Sequence, residues 1–418
     1  MRLRVGLVAA ALVATAFVVD VWPDAPRSGP EERAALTAAE ADQPRQTSDG
    51  LAGEIADAIP PSMRATAPRI DNRRSWRMAP GVQFRRWDQT DSRGQVRAYL
   101  VSVDWDAPGV SLDYGSPGRH VPDRGTVSRI LGREGEEAVA GTNGGFFDIY
   151  DTGAPLGIGE DRQRGFLHGG RYTWRNAFWI DGDGAPQIGR PPLNASIAEY
   201  PQMEITNANS PRAREGGIGL WNPKWGDTSG YSITDGQQRG VRMVVVEGGR
   251  VVANTTDLSR GRAIRGQVLV GRGAGADQLA QLRVGARATI HAGLAGDPAF
   301  AIGGESVLLS RGRVRVHDDR VLHPRTAIGI DRDRGRVLLL VADGRQRHSR
   351  GLTMVELART MKRLGADVAL NLDGGGSSEM VGRDQQGRRR LLNQPSDGQQ
   401  REVADGVVVR FAAGRSRG

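Results

Sequence analysis

The last third of the chain contains two apolar runs of strand length separated by an amphipathic helical segment, and this pattern constrains the fold most strongly. The first run is Arg336–Ala342, and the second covers residues 366–372. Between them, Thr353 is followed three residues later by Glu356, which is the pattern of a helix capping box. Gly365 stands where a helix commonly ends. Strand, helix and strand of these lengths predict a βαβ unit whose two strands are parallel in one sheet.

Each of the two predicted strands runs into an aspartate, Asp343 after the first and Asp373 after the second. Because the carboxyl ends of parallel strands meet at the same edge of a sheet, we expect the two carboxylates to lie near each other. Such a pair is suited to acid–base chemistry. The simpler alternative is that an Asp-Gly pair only begins a turn, and it applies more strongly to Asp343 than to Asp373.

A polar, glycine-rich turn surrounds the second aspartate. The two-residue period of a strand places Asn371 and Asp373 on one face. The residues that follow offer unhindered backbone N–H groups and two hydroxyls, which is what an anion-binding turn requires; they are Gly374, Gly375, Gly376, Ser377 and Ser378. No Lys follows in Walker spacing, so the turn is not a nucleotide P-loop.

Two further motifs contribute candidate substrate-binding residues. Asn143, Gly144 and Gly145 form a second turn that exposes backbone, after a short apolar strand. Arg325 and Thr326 precede another strand-like segment. The guanidinium of an arginine can donate two parallel hydrogen bonds to a phosphate, which makes Arg325 a candidate phosphate ligand. As one of many arginines, it is equally compatible with a plain surface position.

Composition excludes several classes of protein. The chain has no cysteine, which rules out disulfide scaffolds, thiolate metal sites and cysteine nucleophiles. The six histidines show no metal-ligand spacing. The sequence therefore requires no cofactor and assigns no metal ligands, although carboxylates in a groove leave a bound Ca²⁺ or Mg²⁺ ion as an open alternative.

The positive charge comes almost entirely from arginine. Lys and Arg number 57 against 48 Asp and Glu, which gives a net charge of +9, while aromatic residues are only 5%. Binding of nucleic acid would use basic patches together with stacking aromatics. With so few aromatics, an arginine-rich surface is the simpler interpretation, and we predict no nucleic-acid partner.

The amino terminus resembles an export signal. Residues 1–22 begin with Arg2 and Arg4 and continue as an uncharged apolar stretch, which is typical of a signal peptide or an uncleaved signal anchor. A buried amino-terminal helix is the alternative. We expect a secreted or cell-surface protein that contacts the membrane only through this segment, and only if the segment is not cleaved.

The remaining chain divides into three parts. Residues 23–78 are rich in Ala, Pro and charge and predict a linker of low order. Residues 79–413 predict one large catalytic domain, and residues 414–418 a tail. The expected fold class is α/β (α+β), a mixed β-sheet flanked by helices that contains the carboxyl-terminal βαβ unit.

Five motifs in order resemble those of the phosphodiester glycosidase family: NGGFF at 143–147, DTG at 151–153, PRTAIG at 324–329, ADGR at 342–345 and NLDGGGSS at 371–378. Residues 393–403 resemble the closing segment of that family, and the resemblance covers about residues 80–412. Glu305 and Asp148 stand at positions where the chain departs from the family or the family varies. The cysteines and downstream modules of its animal members are absent.

The resemblance implies hydrolysis of a sugar-1-phosphodiester, with release of the sugar and a phosphomonoester. Asp373 is then the first candidate for activating water or attacking the anomeric carbon, and Asp343 the second. Arg325 and the turn at 374–378 would hold the phosphate. Asn143 and Asn371 would bind sugar hydroxyls or phosphoryl oxygens.

A non-catalytic alternative uses the same residues. A carbohydrate-binding protein, or an accessory protein of exopolysaccharide assembly, would present the same groove on the same fold. In both cases the expected partner is a carbohydrate or sugar phosphate, so only product formation separates the two interpretations.

Overall fold

The computed structural model describes residues 66–414, and most of this part of the chain forms β-strands. Strands account for 44% of it and helices for 9%. The α-helices in the described part are α1 (Val127–Arg133), α2 (Ala274–Leu279) and α3 (Met354–Leu364). Two short 3₁₀ helices cover Gly230–Thr234 and Gly375–Ser377. The predicted signal segment, residues 1–22, lies outside the described residues.

The sheet that contains the two predicted carboxyl-terminal strands has eight strands. Strands are numbered in chain order, and their order in space is β1 (Arg69–Ala79), β2 (Val82–Asp91), β3 (Gly94–Asp104), β23 (Arg336–Ala342), β22 (Arg325–Asp331), β24 (Val368–Asn371), β20 (Val307–Ser310) and β21 (Arg313–Val314). All neighbours in it are antiparallel. Strand β1 begins inside the segment predicted as a linker, and its pairing with β2 along nearly its full length explains why it is a strand.

A second sheet has ten strands. In spatial order they are β15 (Arg250–Thr255), β14 (Val241–Glu247), β17 (Gln267–Arg272), β12 (Ile218–Trp221), β11 (Ile205–Ala208), β7 (Gly165–Gly170), β6 (Gly159–Asp161), β19 (Phe300–Gly303), β8 (Ala177–Ile180) and β9 (Pro186–Gly189). In this sheet β11 and β12 run parallel, and the other neighbouring pairs are antiparallel.

A third sheet has five strands and supports the turn at Asn143. They are β26 (Arg389–Leu391), β25 (Met380–Arg383), β5 (Ala138–Asn143), β27 (Gly406–Phe411) and β4 (Val110–Gly115). Two ribbons complete the strands of the described part, β10 (Leu193–Ile197) with β18 (Ile290–Leu294), and β13 (Asp227–Ser229) with β16 (Arg260–Ala263).

The predicted α/β class with helices flanking a mixed sheet is therefore wrong, and the connections explain why. Directly neighbouring parallel strands need crossovers of about a dozen residues, usually with a helix. Here many strands are joined by tight glycine turns instead; Gly81, for example, has φ 73° between β1 and β2. Such turns favour antiparallel hairpins. The βαβ unit recognised in the sequence does not represent how the other strands are connected.

The βαβ unit itself is present. Strands β23 and β24 are both antiparallel to β22, which lies between them, so they are parallel to each other and end at the same edge. Helix α3 connects them. Its capping box is confirmed, because the Thr353 hydroxyl accepts from Glu356 N and the Glu356 carboxylate accepts from Thr353 N, each at 3.1 Å. Gly365 ends the helix with φ 106°.

Both faces of the eight-stranded sheet are buried at its central strand β23. On one face, Leu357 and Met361 of α3 pack in one apolar cluster with Leu338 and Leu340 of β23. Leu339, which points the opposite way, belongs to the cluster shared with the other sheets. Burial on both faces explains why β23 reads as a continuous apolar run without alternation.

The described residues lie in a single compact unit. Between residues 66 and 414, no helix is long and apolar enough to cross a membrane.

Candidate active site

The ends of β23 and β24 bring two aspartates to one edge of the eight-stranded sheet. Ala342 pairs with Arg325 on one side of β22, and Asn371 pairs with Ala327 on its other side. Asp343 and Asp373 follow these paired residues, and each is only 1% exposed. We call this edge, with Asp343, Asp373 and Asn143, the aspartate rim. The placement agrees with the strand pattern, and the catalytic roles stay predictions.

Asp373 is joined to the Asn143 turn, which lies far away in the chain. Its backbone N–H donates to the Gly144 carbonyl at 3.0 Å. The Asn143 amide nitrogen donates to the Asp373 carbonyl at 2.7 Å. The Asp373 carboxylate accepts from Gly374 N at 2.9 Å. The two motifs that the sequence singled out separately therefore form one structure.

The Asn143 side chain connects three of the motifs. Its oxygen accepts from the Thr326 hydroxyl at 2.8 Å and from Glu379 N at 3.2 Å. The Thr326 oxygen also lies 3.2 Å from the Ser378 hydroxyl. Asn143 is fully buried, and both atoms of its amide group bond to protein. These bonds hold the side chain in place, and its contact with substrate stays a prediction.

The Asp343 carboxylate is surrounded by donors. One oxygen accepts from the Tyr99 hydroxyl at 2.8 Å and lies 3.2 Å from His348 Nε2. The other accepts from the Asn393 amide and from Gln394 N, both at 3.1 Å. Burial, and then the charge of Asp343, raise the pKa of Tyr99 far above its usual value, so this phenol stays a donor. Four donors on two oxygens fix the orientation of the carboxylate.

Asn393 connects the surroundings of the two aspartates. Besides Asp343, its amide donates to the Ser378 carbonyl at 2.9 Å, and its oxygen accepts from Met380 N at 2.8 Å. The sequence assigned Asn393 only to the closing segment of the family. Tyr99 carried no sequence signal, because its partner is 244 residues away in the chain.

Arg325 is fully buried, which excludes the plain surface position. Its Nε donates to the Leu352 carbonyl at 3.0 Å, and one terminal nitrogen donates to the Val321 carbonyl at 3.3 Å. The side chain therefore starts at the aspartate rim and is held by neighbouring backbone. Its contact with a phosphate stays a prediction.

The glycine turn after Asp373 is less open than the sequence suggested. Gly374 N already bonds to Asp373, and Gly375 N donates to the Pro324 carbonyl at 2.9 Å. Ser377 N and Ser378 N donate back to carbonyls within the turn at 3.1 Å. Most of the amides predicted to cradle an anion are therefore occupied by protein acceptors.

The closing segment packs directly on this turn. Arg401 and Asp397 form an ion pair of 2.8 Å against Gly376. A Cβ at Gly376 would collide with both side chains of that pair. The glycine is thus needed for a close approach of two chain segments, and the ion pair covers the turn.

Three buried polar atoms close to the rim have no hydrogen-bond partner within the described part of the chain: Thr142 Oγ1, Ser377 Oγ and Glu379 Oε2. Buried polar groups are nearly always paired, since leaving one unpaired costs free energy. The motifs around Asp373 and Asn143 therefore leave three neighbouring residues with a buried polar atom that no protein group satisfies.

Glu379 was not anticipated from the sequence. It is fully buried, and this burial raises its pKa to about 8, although a hydrogen bond from Arg401 N acts in the opposite direction. Its carboxyl group is therefore mostly protonated at neutral pH. A protonated carboxyl beside the rim is able to donate a proton.

A buried series of hydrogen-bonded side chains holds the Asn143 turn at Gly145. Gly145 N donates to Asp405 at 2.7 Å, and the other Asp405 oxygen lies 3.0 Å from the Tyr114 hydroxyl. That hydroxyl lies 2.8 Å from His168 Nε2, and His168 Nδ1 lies 2.9 Å from the Gly157 carbonyl. Burial raises the pKa of Asp405 to about 6 and lowers the pKa of His168 to about 4.

Proton positions along this series follow from its acceptors. Gly157 O can only accept, so His168 Nδ1 carries a proton, and the neutral ring then turns its acceptor nitrogen, Nε2, toward Tyr114. Tyr114 has one proton, which it can give to His168 or to an ionised Asp405, so the protonation of Asp405 decides which of the two contacts it makes. Burial raises the pKa of Asp405, and the hydrogen bond from Tyr114 acts in the opposite direction.

In the described part of the chain, no group of three or more His, Asp or Glu side chains could hold a metal ion.

Comparisons with known proteins agree with the motifs. Residues 230–410 match the model of the phosphodiester glycosidase family. This range contains Arg325, Asp343 and the segment 371–378, and it begins after Asn143. A curated relative, the SPbeta prophage-derived uncharacterized protein YomE of Bacillus subtilis (strain 168), is 34% identical over 94 residues, which are 22% of this chain and 14% of that protein.

Two solved structures share the fold. A protein of unassigned function from Synechocystis has a TM-score of 0.66 at 21% identity, over 79% of this chain and 62% of that one. A proposed exported protein from Burkholderia pseudomallei K96243 has a TM-score of 0.63 at 19% identity, over 88% and 99% of the two chains. The matches thus span less than two thirds of the Synechocystis and Bacillus proteins. The resemblance predicted from the motifs is confirmed by the phosphodiester glycosidase family model over residues 230–410.

Proposed function

We propose that this protein hydrolyses the sugar–phosphate bond of a sugar-1-phosphodiester and releases the free sugar and a phosphomonoester. The observation that carries the proposal is the aspartate rim. Two buried carboxylates, Asp343 and Asp373, end parallel strands at one sheet edge, and Asn143 and Asn393 tie both to the same turn. The family match over residues 230–410 supports the same reaction class.

The chemistry explains why two carboxylates are needed. Breaking the anomeric C–O bond develops positive charge on the sugar ring, which a nearby carboxylate stabilises. Asp373 activates water or attacks the anomeric carbon. Asp343, held by four donors, keeps a fixed negative charge beside the ring.

The leaving phosphomonoester is weakly basic and needs its charge held more than it needs a proton. Arg325 supplies the buried positive charge at the rim, and the unpaired Ser377 hydroxyl supplies a hydrogen bond. Glu379, with its pKa raised to about 8 by burial, supplies a proton where one is required. Asn371 and Thr326 complete the sugar and phosphate contacts.

We further propose that the enzyme works outside the cell on surface or extracellular polysaccharide. The apolar, basic-flanked pattern of residues 1–22 supports export. A structural neighbour, the Burkholderia protein, is itself proposed to be exported.

The test measures release of sugar and phosphomonoester from a synthetic sugar-1-phosphodiester by the full chain. Asp373→Asn is expected to lower turnover at least about 1,000-fold, since it removes the group that acts on the anomeric centre. The exposed Asp333→Asn variant, which makes the same chemical change elsewhere on the surface, keeps wild-type turnover. A folded Asp373→Asn protein with near-normal turnover removes Asp373 from the mechanism.

The non-catalytic alternative is favoured by one observation, the closure of the glycine turn by the Arg401–Asp397 ion pair. A binding or assembly protein would hold the same sugar phosphate without converting it. Saturable binding of the substrate by wild-type protein, with no product after prolonged incubation, would replace hydrolysis by this function.

A further inference from the structure

A basic groove lies at the edge of the same sheet, away from the motifs discussed so far. Strands β1 and β2 and helix α3 enclose a cavity of about 490 Å³. Five arginines line it: Arg73, Arg74, Arg85, Arg86 and Arg363. Trp87 forms an apolar part of the lining and is itself buried. We call this cavity the arginine groove.

None of these five arginines forms an ion pair with another residue of the described chain, and the acids nearby are already occupied. Asp91 and Glu356 both bond to Arg350, at 2.9 and 2.8 Å. Asp88 is held by Arg97 at 2.7 Å. The groove arginines therefore have no direct ion-pair partner, although Glu356 and Asp91 attract Arg363 from a distance.

The arginines are also close to further positive charge. Burial and then Arg336 and Arg334 lower the pKa of Arg85. Burial and then Arg359 lower the pKa of Arg363, while the charges of Glu356 and Asp91 act in the opposite direction. In addition, Arg86 Nε is buried without a hydrogen-bond partner in the described part. Folding holds these charges together against repulsion, and an anion in the cavity would relieve it.

A second basic pocket shows the contrast. It has a volume of about 380 Å³ and is lined by Arg164 and Lys224 among others. There Arg164 donates to the Arg119 carbonyl at 2.7 Å, and Lys224 donates to the Phe166 carbonyl at 2.6 Å. Those cations stabilise backbone. In the arginine groove, Arg363 donates to the Thr360 hydroxyl at 2.9 Å, and its other donors are not used in this way.

We propose that the arginine groove is a binding site for a ligand that carries two or more phosphate groups. A guanidinium donates two parallel hydrogen bonds to a phosphate, and five of them in one cavity match more than one phosphate. The cavity is concave and falls in the size range of small-molecule sites, which favours a compact phosphate chain over a flat surface. The site stands apart from the proposed hydrolysis and does not depend on it.

Inorganic pyrophosphate is the probe, with calorimetry on the full chain at low salt. We expect saturable binding by the wild type, and an affinity at least about ten-fold weaker in the double variant Arg85→Gln/Arg363→Gln. The control is Arg262→Gln/Arg283→Gln, which removes the same charge from two exposed arginines outside the groove. Its affinity stays within about two-fold of wild type.

Each of the remaining outcomes either supports or overturns the proposal. Absence of saturable pyrophosphate binding, or an equal loss of affinity in both double variants, overturns it. Binding of phosphatidylserine vesicles or duplex DNA that pyrophosphate does not displace also overturns it. Displacement of vesicles by pyrophosphate supports it and names a lipid headgroup as one source of the phosphate. Thermal unfolding of the Arg85→Gln/Arg363→Gln protein verifies that it is folded.

Discussion

The aspartate rim and the arginine groove lie on the same eight-stranded sheet and treat charge in opposite ways, since Asp343 is buried whereas Arg85 and Arg363 are exposed. At the rim, Asp343 has four donors from segments that are far apart in the chain. In the groove, Arg85 and Arg363 have no acidic partner in the described chain and lie close to other arginines. The Asp343 carboxylate is held by protein donors, whereas the groove guanidinium groups have no carboxylate to hold them.

The two regions therefore use charge in different ways: the rim holds a carboxylate in position, and the groove attracts an anion. A carboxylate fixed by several hydrogen bonds cannot reorganise, which is useful where charge develops during a reaction. Unpaired guanidinium groups produce a positive field that draws an anion, without specifying its orientation closely. Substitutions at the rim should therefore change turnover, and substitutions in the groove should change binding and salt dependence.

The largest expected effect that tests this contrast is on turnover in Asp343→Asn. The amide removes the fixed negative charge and places an NH₂ group against the donors Asn393 and Gln394 or against Tyr99. We expect kcat for a sugar-1-phosphodiester to fall about 100-fold or more. Steady-state kinetics, with thermal unfolding as the folding control, measure it.

A groove variant is the comparison for Asp343→Asn in that experiment. Arg85→Gln/Arg363→Gln leaves kcat for the same substrate within about two-fold of wild type, because the groove takes no part in the proposed reaction. A large loss of kcat in this variant, or none in Asp343→Asn, would erase the functional distinction between the two regions.

The next largest effect is the pH dependence of stability caused by Asp405, which supports the rim through Gly145. Its pKa rises on folding from the usual value to about 6 because it is buried. The folded state therefore prefers the protonated acid. Its contribution to stability is present below about pH 4 and is lost as pH rises through 6, by about 3 kcal/mol.

Asp405→Asn tests this prediction without altering the shape of the side chain. The Asn amide donates to Tyr114 as the protonated acid would, and its oxygen still accepts from Gly145 N. We expect denaturant unfolding to show a free energy that declines less between about pH 4 and pH 7.5 than in wild type. Asp405→Leu removes both contacts and should destabilise at every pH. An unchanged pH dependence in Asp405→Asn would show that the extra proton is elsewhere.

Local patterns predicted the parts of the rim that depend on neighbours in the chain. The apolar run before Asp343, the capping box at Thr353 and Glu356, and the terminal Gly365 all follow from short-range rules, and the structure contains them. The polar motifs around Asn143 and Asp373 were also recognisable, because glycine-rich turns after apolar strands are distinctive.

Long-range pairing was not predictable in the same way. The sequence does not show that β22 inserts between β23 and β24, and this insertion makes their direct neighbour antiparallel while the two strands stay parallel to each other. Nor does it show that Tyr99 reaches Asp343. In the same way, an arginine-rich composition cannot reveal which arginines lack a partner, because ion pairing is decided only when distant segments meet.

The smallest expected effect concerns stability in the arginine groove. If Arg85 repels its neighbours, Arg85→Gln relieves repulsion at low ionic strength and offsets the packing lost with the longer side chain. Because salt screens exposed charges over about 10 Å at 0.1 M, the wild-type Tm should rise more than the variant Tm between about 20 and 200 mM NaCl. We expect the salt-induced change in the free energy of unfolding to differ by about 0.5 kcal/mol between wild type and Arg85→Gln, measured by thermal unfolding. Arg283→Gln should respond to salt as the wild type does. Parallel salt responses of wild type and Arg85→Gln would mean that the groove stores no repulsion and that its arginines are neutralised in another way.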